Sequence, residues 1–136
     1  LQFSIPVSNM VANGLEVNMT SSGAADFDGS VLDYSRLHDL TIQAWSPFQM
    51  PNWQGCFIDS ANYPKLNAEL QNLAQKYQVS KTTIATAWIL RHPAGMQVIT
   101  GTTSENRITE IICAENVLLT REEWYRLYLA AGHVLP

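Results

Sequence analysis

Basic side chains are scarce in this 136-residue sequence, which carries 8 Lys and Arg against 12 Asp and Glu and a formal net charge of −4. Nucleic-acid-binding proteins neutralise phosphates with clustered Lys and Arg, so this balance argues against nucleic acid as a partner. Long apolar runs are also missing. The longest, residues 84–90, is interrupted by Thr86 and falls far short of the roughly 20 residues that span a bilayer. The composition therefore excludes membrane insertion and disfavours nucleic-acid binding.

Cysteine and the other metal-ligating side chains are few and scattered. Cys56 and Cys113 lie far apart, and the three histidines have no Cys or carboxylate at ligand spacing. A secreted disulfide scaffold would be richer in cysteine, so two free thiols in a reducing, cytoplasmic compartment are predicted, without a metal site. The Gly-x-Ser-x-Gly elbow of hydrolases does not occur. Hydrolytic and metal-dependent classes therefore have no support in the sequence.

What the sequence does contain is an alternation of strand and helix patterns. The 136 residues are enough for one domain, and the contents of 46% apolar and 15% charged residues are those of a globular protein. Strand patterns cover residues 1–5, 40–45 and 96–100, and helices are expected to begin near Ser30, Pro64, Ser80, Ser104 and Thr120. This order predicts an α/β fold with parallel strands and helical crossovers. Three strands cannot close a barrel, so a further segment is expected to complete the sheet.

Two strand ends carry the informative side chains. Trp45 ends the second strand, at the position where parallel barrels keep functional residues, although a core aromatic would also fit. The third strand is followed by small and hydroxyl residues and a helix N-terminus, with Arg107 one turn into that helix. Free backbone N–H groups, the helix dipole and a guanidinium together form an anion site. A capped helix with a solvated Arg107 is the alternative.

Residues 73–84 also have the appearance of a helix-turn-helix motif. A recognition helix presents polar side chains to base edges, whereas this one continues after Thr83 as a nearly all-apolar run. Only Lys81 and Arg91 could meet phosphates, so packing of the helix on a sheet explains the pattern better.

Several motifs resemble the C-terminal part of aldo-keto reductases and occur in the same order as in that family. The resemblance is strongest to the bacterial oxidoreductase branch. The motifs are Ala44-Trp45-Ser46-Pro47-Phe48, the runs at residues 87–93 and 99–103, and Glu123-Trp124-Tyr125. The resemblance implies a (β/α)8 TIM barrel of which residues 1–136 would form the C-terminal portion, about strands 6–8 with their helices. It also implies NADP(H)-dependent reduction of aldehyde or ketone carbonyls by hydride transfer.

The resemblance further implies which residues hold the cofactor. Trp45 takes the place of the aromatic that stacks on the nicotinamide, and Glu110 matches an adenine-side position. Many members have a Lys where Gly101 or Thr102 stands, so selection for the 2′-phosphate would rest mainly on Arg107. The expected cofactor-binding residues are Trp45, Ser46, Pro47, Phe48, Gly101, Thr102, Thr103, Ser104, Arg107 and Glu110.

The family's catalytic Asp, Tyr, Lys and His come from the first four strands, and its carboxamide-binding Gln is expected just before Leu1. No catalytic residue is therefore expected in this chain, which would be an inactive fragment without the N-terminal half as its partner. A non-catalytic nucleotide-binding module of reductase ancestry is the alternative. The carbonyl substrate would be a small molecule that the sequence does not specify.

Overall fold

In a computed structural model of the chain, residues 2–8 and 30–133 are described. The elements, in chain order, are α1 Ser30–Leu37, β1 Gln43–Ala44, a 3₁₀ turn at Pro51–Trp53, α2 Pro64–Tyr77, α3 Lys81–Leu90, β2 Gln97–Val98, α4 Glu105–Ile112, a second 3₁₀ turn at Cys113–Asn116, and α5 Arg121–Ala130. Within the described ranges, no helix has the length and apolar character of a membrane span.

The strands are parallel, as the sequence predicts, but shorter. Gln43 pairs with Gln97 and Ala44 with Val98. The strand expected at residues 1–5 is reduced to one parallel bridge between Gln2 and Trp45, and Leu1 lies outside the described residues. Residues form a ladder only where a neighbour strand faces them, which explains the shortening. The three segments lie side by side in the order in which they occur in the chain.

Local signals explain the central helix pair. Pro64 occupies the first turn of α2, where its missing N–H costs nothing, and Gln78 ends the helix in the left-handed conformation. The Ser80 hydroxyl then caps α3 by accepting from the Thr83 N–H at 3.1 Å. From Thr83 to Ile89 every residue of α3 is buried, and α3 packs against α2, α4 and β2. This helix is a core element that packs beside the sheet, as the apolar run after Thr83 predicts.

A column of aromatic rings runs through the core. Phe3 stacks on Trp88 with 5.6 Å between ring centroids, and Trp88 stacks on Trp124 at 4.5 Å and 9°. The column continues through Tyr128 at 5.7 Å to His133 at 4.4 Å. The His133 Nε2 then hydrogen-bonds the Ile5 carbonyl at 2.7 Å. The column therefore connects residues 2–8 to α3 and α5 and returns to its starting segment.

The two central indoles are also bonded to each other's backbone. Trp88 Nε1 donates to the Trp124 carbonyl at 3.0 Å, and Trp124 Nε1 donates to the Trp88 carbonyl at 2.9 Å. Buried N–H groups need such acceptors because unpaired they are costly. Each tryptophan thus satisfies the other, and α3 and α5 are held at one separation and register.

A buried carboxylate joins α2 to α5. Thr120 and Glu123 form a complete capping box at the start of α5, as the sequence predicts. The Glu123 carboxylate also accepts from Lys76 Nζ at 2.6 Å and from Tyr77 OH at 2.7 Å. Burial alone raises the pKa of this carboxyl, but the hydrogen bonds from Lys76, Tyr77 and the Thr120 N–H outweigh it and lower the pKa to about 2.

Replacing either central tryptophan with phenylalanine should destabilise the protein well beyond the loss of ring area. Trp88→Phe leaves the buried Trp124 carbonyl without its donor, and Trp124→Phe does the converse. Each should lower the free energy of unfolding by about 1–3 kcal/mol. A double-mutant cycle in urea should give less than the sum, because both changes disrupt one unit. Tyr34→Phe, at an exposed ring, is the control and should change stability by less than about 0.5 kcal/mol. Additive losses would contradict the coupling.

The Glu123 carboxylate should make stability depend on pH in a defined window. Because its pKa is lowered from 4.5 to about 2 in the folded chain, its stabilisation is fully present above pH 4.5 and is lost as the pH falls towards 2. Glu123→Gln should lower stability by about 1–3 kcal/mol at neutral pH and flatten the urea-unfolding profile in that window. Glu122→Gln, at an exposed neighbour in the same turn, is the matched control. An unchanged profile in Glu123→Gln would contradict this account.

Candidate functional site

The two strand ends singled out in the sequence lie at one edge of the sheet. The Ile99 N–H donates to the Ala44 carbonyl at 2.9 Å, so β1 and β2 end beside each other. Neighbouring strands lie about 4.8 Å apart. The segments 45–48 and 101–104 therefore leave the sheet as neighbours. This edge corresponds to the carboxyl ends of the strands, where parallel α/β proteins bind ligands.

The ten expected cofactor-binding residues differ in exposure. Pro47 is buried, the half-buried members are Trp45, Ser46, Phe48, Thr102 and Glu110, and the exposed members are Gly101, Thr103, Ser104 and Arg107. A Cβ added at Gly101 would meet nothing within 4 Å, so the backbone there faces open space. Most of the set is thus accessible from one edge, while Pro47 contributes to packing under it.

Trp45 lies at this edge as a partly accessible side chain, not within the core. Its backbone carbonyl accepts from the Phe3 N–H at 3.3 Å, which fixes the end of β1. Its ring stacks on Trp53, with 5.6 Å between centroids and 23° between planes. Ser46, which follows, has a positive φ of 51° and turns the chain away from the sheet. The alternative of a buried core aromatic therefore does not describe Trp45.

Gln2 is a polar residue at this site that the sequence reasoning missed, since an amide was expected only before Leu1. Gln2 is the bridge partner of Trp45, and paired residues share a face of the sheet. Its side chain is 1% exposed, and its Oε1 has no hydrogen-bond partner among the described residues. An unpaired buried acceptor costs about 1–3 kcal/mol. The Oε1 atom is thus a buried acceptor without a donor among the described residues, in the bridge partner of Trp45.

The loop after Trp45 is a hairpin. Phe48 accepts from the Phe57 N–H at 3.0 Å, and the Met50 N–H donates to the Gly55 carbonyl at 2.8 Å. Gly55 has φ +99°, which glycine adopts readily. At the tip, Asn52 and Trp53 both have left-handed backbone, with φ 55° and 58°. Such residues cost about 1–2 kcal/mol each outside glycine, so the pairing below the tip has to hold them.

The N-terminus of α4 leaves donors for an anion. Ser104 is the N-cap residue in extended conformation, but its hydroxyl makes no capping hydrogen bond. The Thr102 Oγ1 instead accepts from the Ser104 N–H at 3.2 Å. The first N–H groups of a helix without a side-chain cap are suited to an anion. Arg107 is exposed in the same turn, and Glu110 anchors α4 because its carbonyl accepts from Thr83 Oγ1 at 2.8 Å.

Arg107 is also close to the hairpin. Loss of hydration raises the pKa of the Cys56 thiol, while the positive charge of Arg107 acts in the opposite direction. Charge effects of this kind act over short distances. The charge of Arg107 therefore acts on the Cys56 thiol of the hairpin that also carries Trp53.

Other features of the described residues lie outside this site. No group of three His, Cys, Asp or Glu side chains among them is arranged to hold a metal ion. A cleft of about 630 Å³ lies between the end of α3 and residues 114–119. The end of α3 leads into the beginning of β2, so this cleft is at the opposite end of the strands from Trp45.

Comparison with known proteins identifies the family. The model of the Aldo/keto reductase family matches residues 6–129, so the chain belongs to the aldo/keto reductases. A thermostable aldo-keto reductase crystallised with the inhibitor epalrestat shares the fold with a TM-score of 0.58 and 19% identity, over 74% of this chain and 33% of that one. The family and an α/β fold therefore agree with what the motif resemblance implies.

Two characterised relatives are named 6-dehydroglucose reductase. The protein from Agrobacterium fabrum is 30% identical over 91% of this chain and 39% of its own length. The protein from Novosphingobium aromaticivorans is 33% identical over 81% of this chain and 36% of its own length. The chain thus spans less than two fifths of the length of these relatives.

Alkylation of Cys56 should report its proximity to Arg107. Because burial raises the pKa of the Cys56 thiol and Arg107 partly offsets this effect, Arg107→Gln should shift its iodoacetamide rate profile to higher pH. The measurement uses a Cys113→Ser background, so that only Cys56 reacts. Arg121→Gln, which removes a cation stacked on Tyr125, is the control. A rate profile unchanged by Arg107→Gln would show that the charge of Arg107 does not act on the Cys56 thiol.

Proposed function

We propose that this chain is the cofactor-binding, C-terminal portion of a (β/α)8 barrel that reduces aldehyde or ketone carbonyls with NADP(H). Membership of the aldo/keto reductases supports the reductase chemistry. The observation that carries the proposal for this edge is the buried, unpaired Oε1 of Gln2 beside Trp45. A carboxamide N–H donor would satisfy that oxygen while its ring lies on the indole.

Each part of the edge suits one part of the dinucleotide. Trp45 offers an indole face on which a planar ring can stack, and Gln2 fixes the orientation of the ring by accepting a hydrogen bond. The segment after β2 and the first turn of α4 offer N–H donors to phosphate. Arg107 adds a cation with a fork of donors for the 2′-phosphate. The bound nicotinamide cofactor would supply the hydride.

The exposed side chains on the face of the sheet that carries Trp45 support a partner segment. Gln43 in β1 and Gln97 in β2 are exposed, and Ile99 just after β2 is 43% exposed, whereas Ala44 on the opposite face is fully buried. In a closed barrel such residues point into a filled interior. We propose that the N-terminal half of the barrel covers them and contributes the proton donor. On this proposal residues 2–133 alone bind and orient the cofactor but do not reduce carbonyls.

The substrate class proposed is a sugar-derived carbonyl compound, on the basis of the two relatives named 6-dehydroglucose reductase. The full burial of α3 from Thr83 to Ile89 favours this reading over DNA binding. The two free, exposed thiols fit a reducing, cytoplasmic compartment. A panel of aldehydes and sugar aldehydes, with NADPH and the full-length protein, tests the proposal. Binding of NADPH without reduction of any of them would favour the non-catalytic module.

Arg107→Ala should weaken NADPH far more than NADH. Loss of a charged hydrogen bond to the 2′-phosphate is worth about 1–3 kcal/mol, and NADH has no such phosphate. Trp45→Ala should weaken both cofactors alike, because the nicotinamide end is common to them. Calorimetric titration of the full-length protein provides both affinities, and Arg121→Ala is the matched control. Equal losses of NADPH and NADH affinity in Arg107→Ala would show that Arg107 does not bind the 2′-phosphate.

A further inference from the structure

Trp53 has an arrangement that ordinary loop packing does not explain. Its side chain is 59% exposed, yet its ring stacks on that of Trp45. Its backbone is left-handed at φ 58°, as is that of Asn52 before it. Asn adopts this region with some ease, but a bulky residue such as Trp rarely does. Strained residues of this kind persist only where the surroundings determine them, and they cluster at functional sites.

The base of the hairpin holds the strained residues Asn52 and Trp53 in their conformation. Phe57 is fully buried and Met50 is 4% exposed, so the two arms are anchored in the core. The Met50 sulfur is also approached by Ser60 Oγ at 3.6 Å and Asn62 Nδ2 at 3.9 Å. The tip is closed by the bond from the Gln54 N–H to the Pro51 carbonyl at 3.4 Å. Trp53 is therefore held over Trp45 by a supported turn.

We infer that Trp53 is a positioning residue that backs the Trp45 indole, so that only the opposite indole face is left to receive a planar ring. The inference rests on the proposed function, because the ring in question is the nicotinamide. Trp45 is only half-buried, so its side chain is not fixed by core packing. A stacked partner on one face restricts the ring to one plane. Trp53 would thus raise cofactor affinity through Trp45, without touching the cofactor.

The experiment measures NADPH and NADH affinity of the full-length protein by calorimetry in Trp53→Ala, Trp53→Phe, Trp45→Ala and the double Ala variant. Loss of an aromatic pair lowers affinity by about 2-fold to 12-fold. Trp53→Ala should weaken both cofactors by the same factor within that range, and Trp53→Phe should restore most of the affinity. In the Trp45→Ala background, Trp53→Ala should have no further effect, because its action passes through Trp45.

Tyr34→Ala is the matched control. Tyr34 is also 59% exposed, and its ring is also packed on another, that of His38 at 4.3 Å, but α1 leads into the beginning of β1 and so lies at the other end. Its removal should leave both affinities unchanged. Thermal unfolding of every variant, followed by circular dichroism, separates a lost fold from a lost contact.

Two results would overturn the inference while leaving the proposed function in place. In one, Trp53→Ala binds both cofactors as tightly as the wild type. In the other, the loss persists undiminished in the Trp45→Ala background, which would mean that Trp53 acts by another route. If the wild-type protein bound neither NADPH nor NADH, the proposed function and this inference would both fail. These outcomes are distinguishable from one set of titrations.

Discussion

The reciprocal pair of Trp88 and Trp124 is the contact on which the rest of the arrangement depends. Each buried indole N–H has the other residue's carbonyl as its acceptor, and the rings are nearly parallel at 4.5 Å. Each hydrogen bond requires one indole to face the other residue's backbone carbonyl, so the two bonds together restrict α3 and α5 to one compatible separation. Phe3 stacks on the outer face of Trp88. The position of residues 2–8 beside β1 follows from that stack, and with it the position of Gln2 beside Trp45.

The residues of the candidate site are positioned by elements that pack on this core, and not by a local sequence motif. The strands contribute little pairing of their own, since β1 and β2 share two residue pairs. Helices α2 and α3 therefore determine where the strand ends lie, through the buried side chains that they place under the sheet. The capping box and the buried Glu123 carboxylate bring α5 onto α2. A chain with so small a sheet depends on helix packing for the geometry of its functional edge.

Arg107 differs in its setting from the cations that form ion pairs. The chain is acidic overall, at −4, and among the described residues four cations are paired with carboxylates: Arg36, Lys76, Lys81 and Arg126. Arg107 lies instead in the first turn of a helix without a side-chain cap, where the helix dipole has the same sign. The Arg107 guanidinium and the positive end of the helix dipole thus lie close together, in a turn that also carries the carboxylate of Glu105. A cation beside free helix N–H groups is an arrangement that attracts anions.

The sequence alone predicts the helix ends, the strand direction and the family, because each of these depends on residues that are close together in the chain. Pro64, Ser80 and the Thr120–Glu123 box act within one turn of chain, and ordered motifs identify the aldo/keto reductases. The sequence does not predict which face of the sheet the Gln2 side chain occupies, because a shift of one residue in strand pairing would reverse that face. The left-handed tip at Asn52 and Trp53 is not predicted either, since no glycine marks it and the hairpin base imposes it. Only tertiary packing, which joins residues distant in the chain, decided these two features.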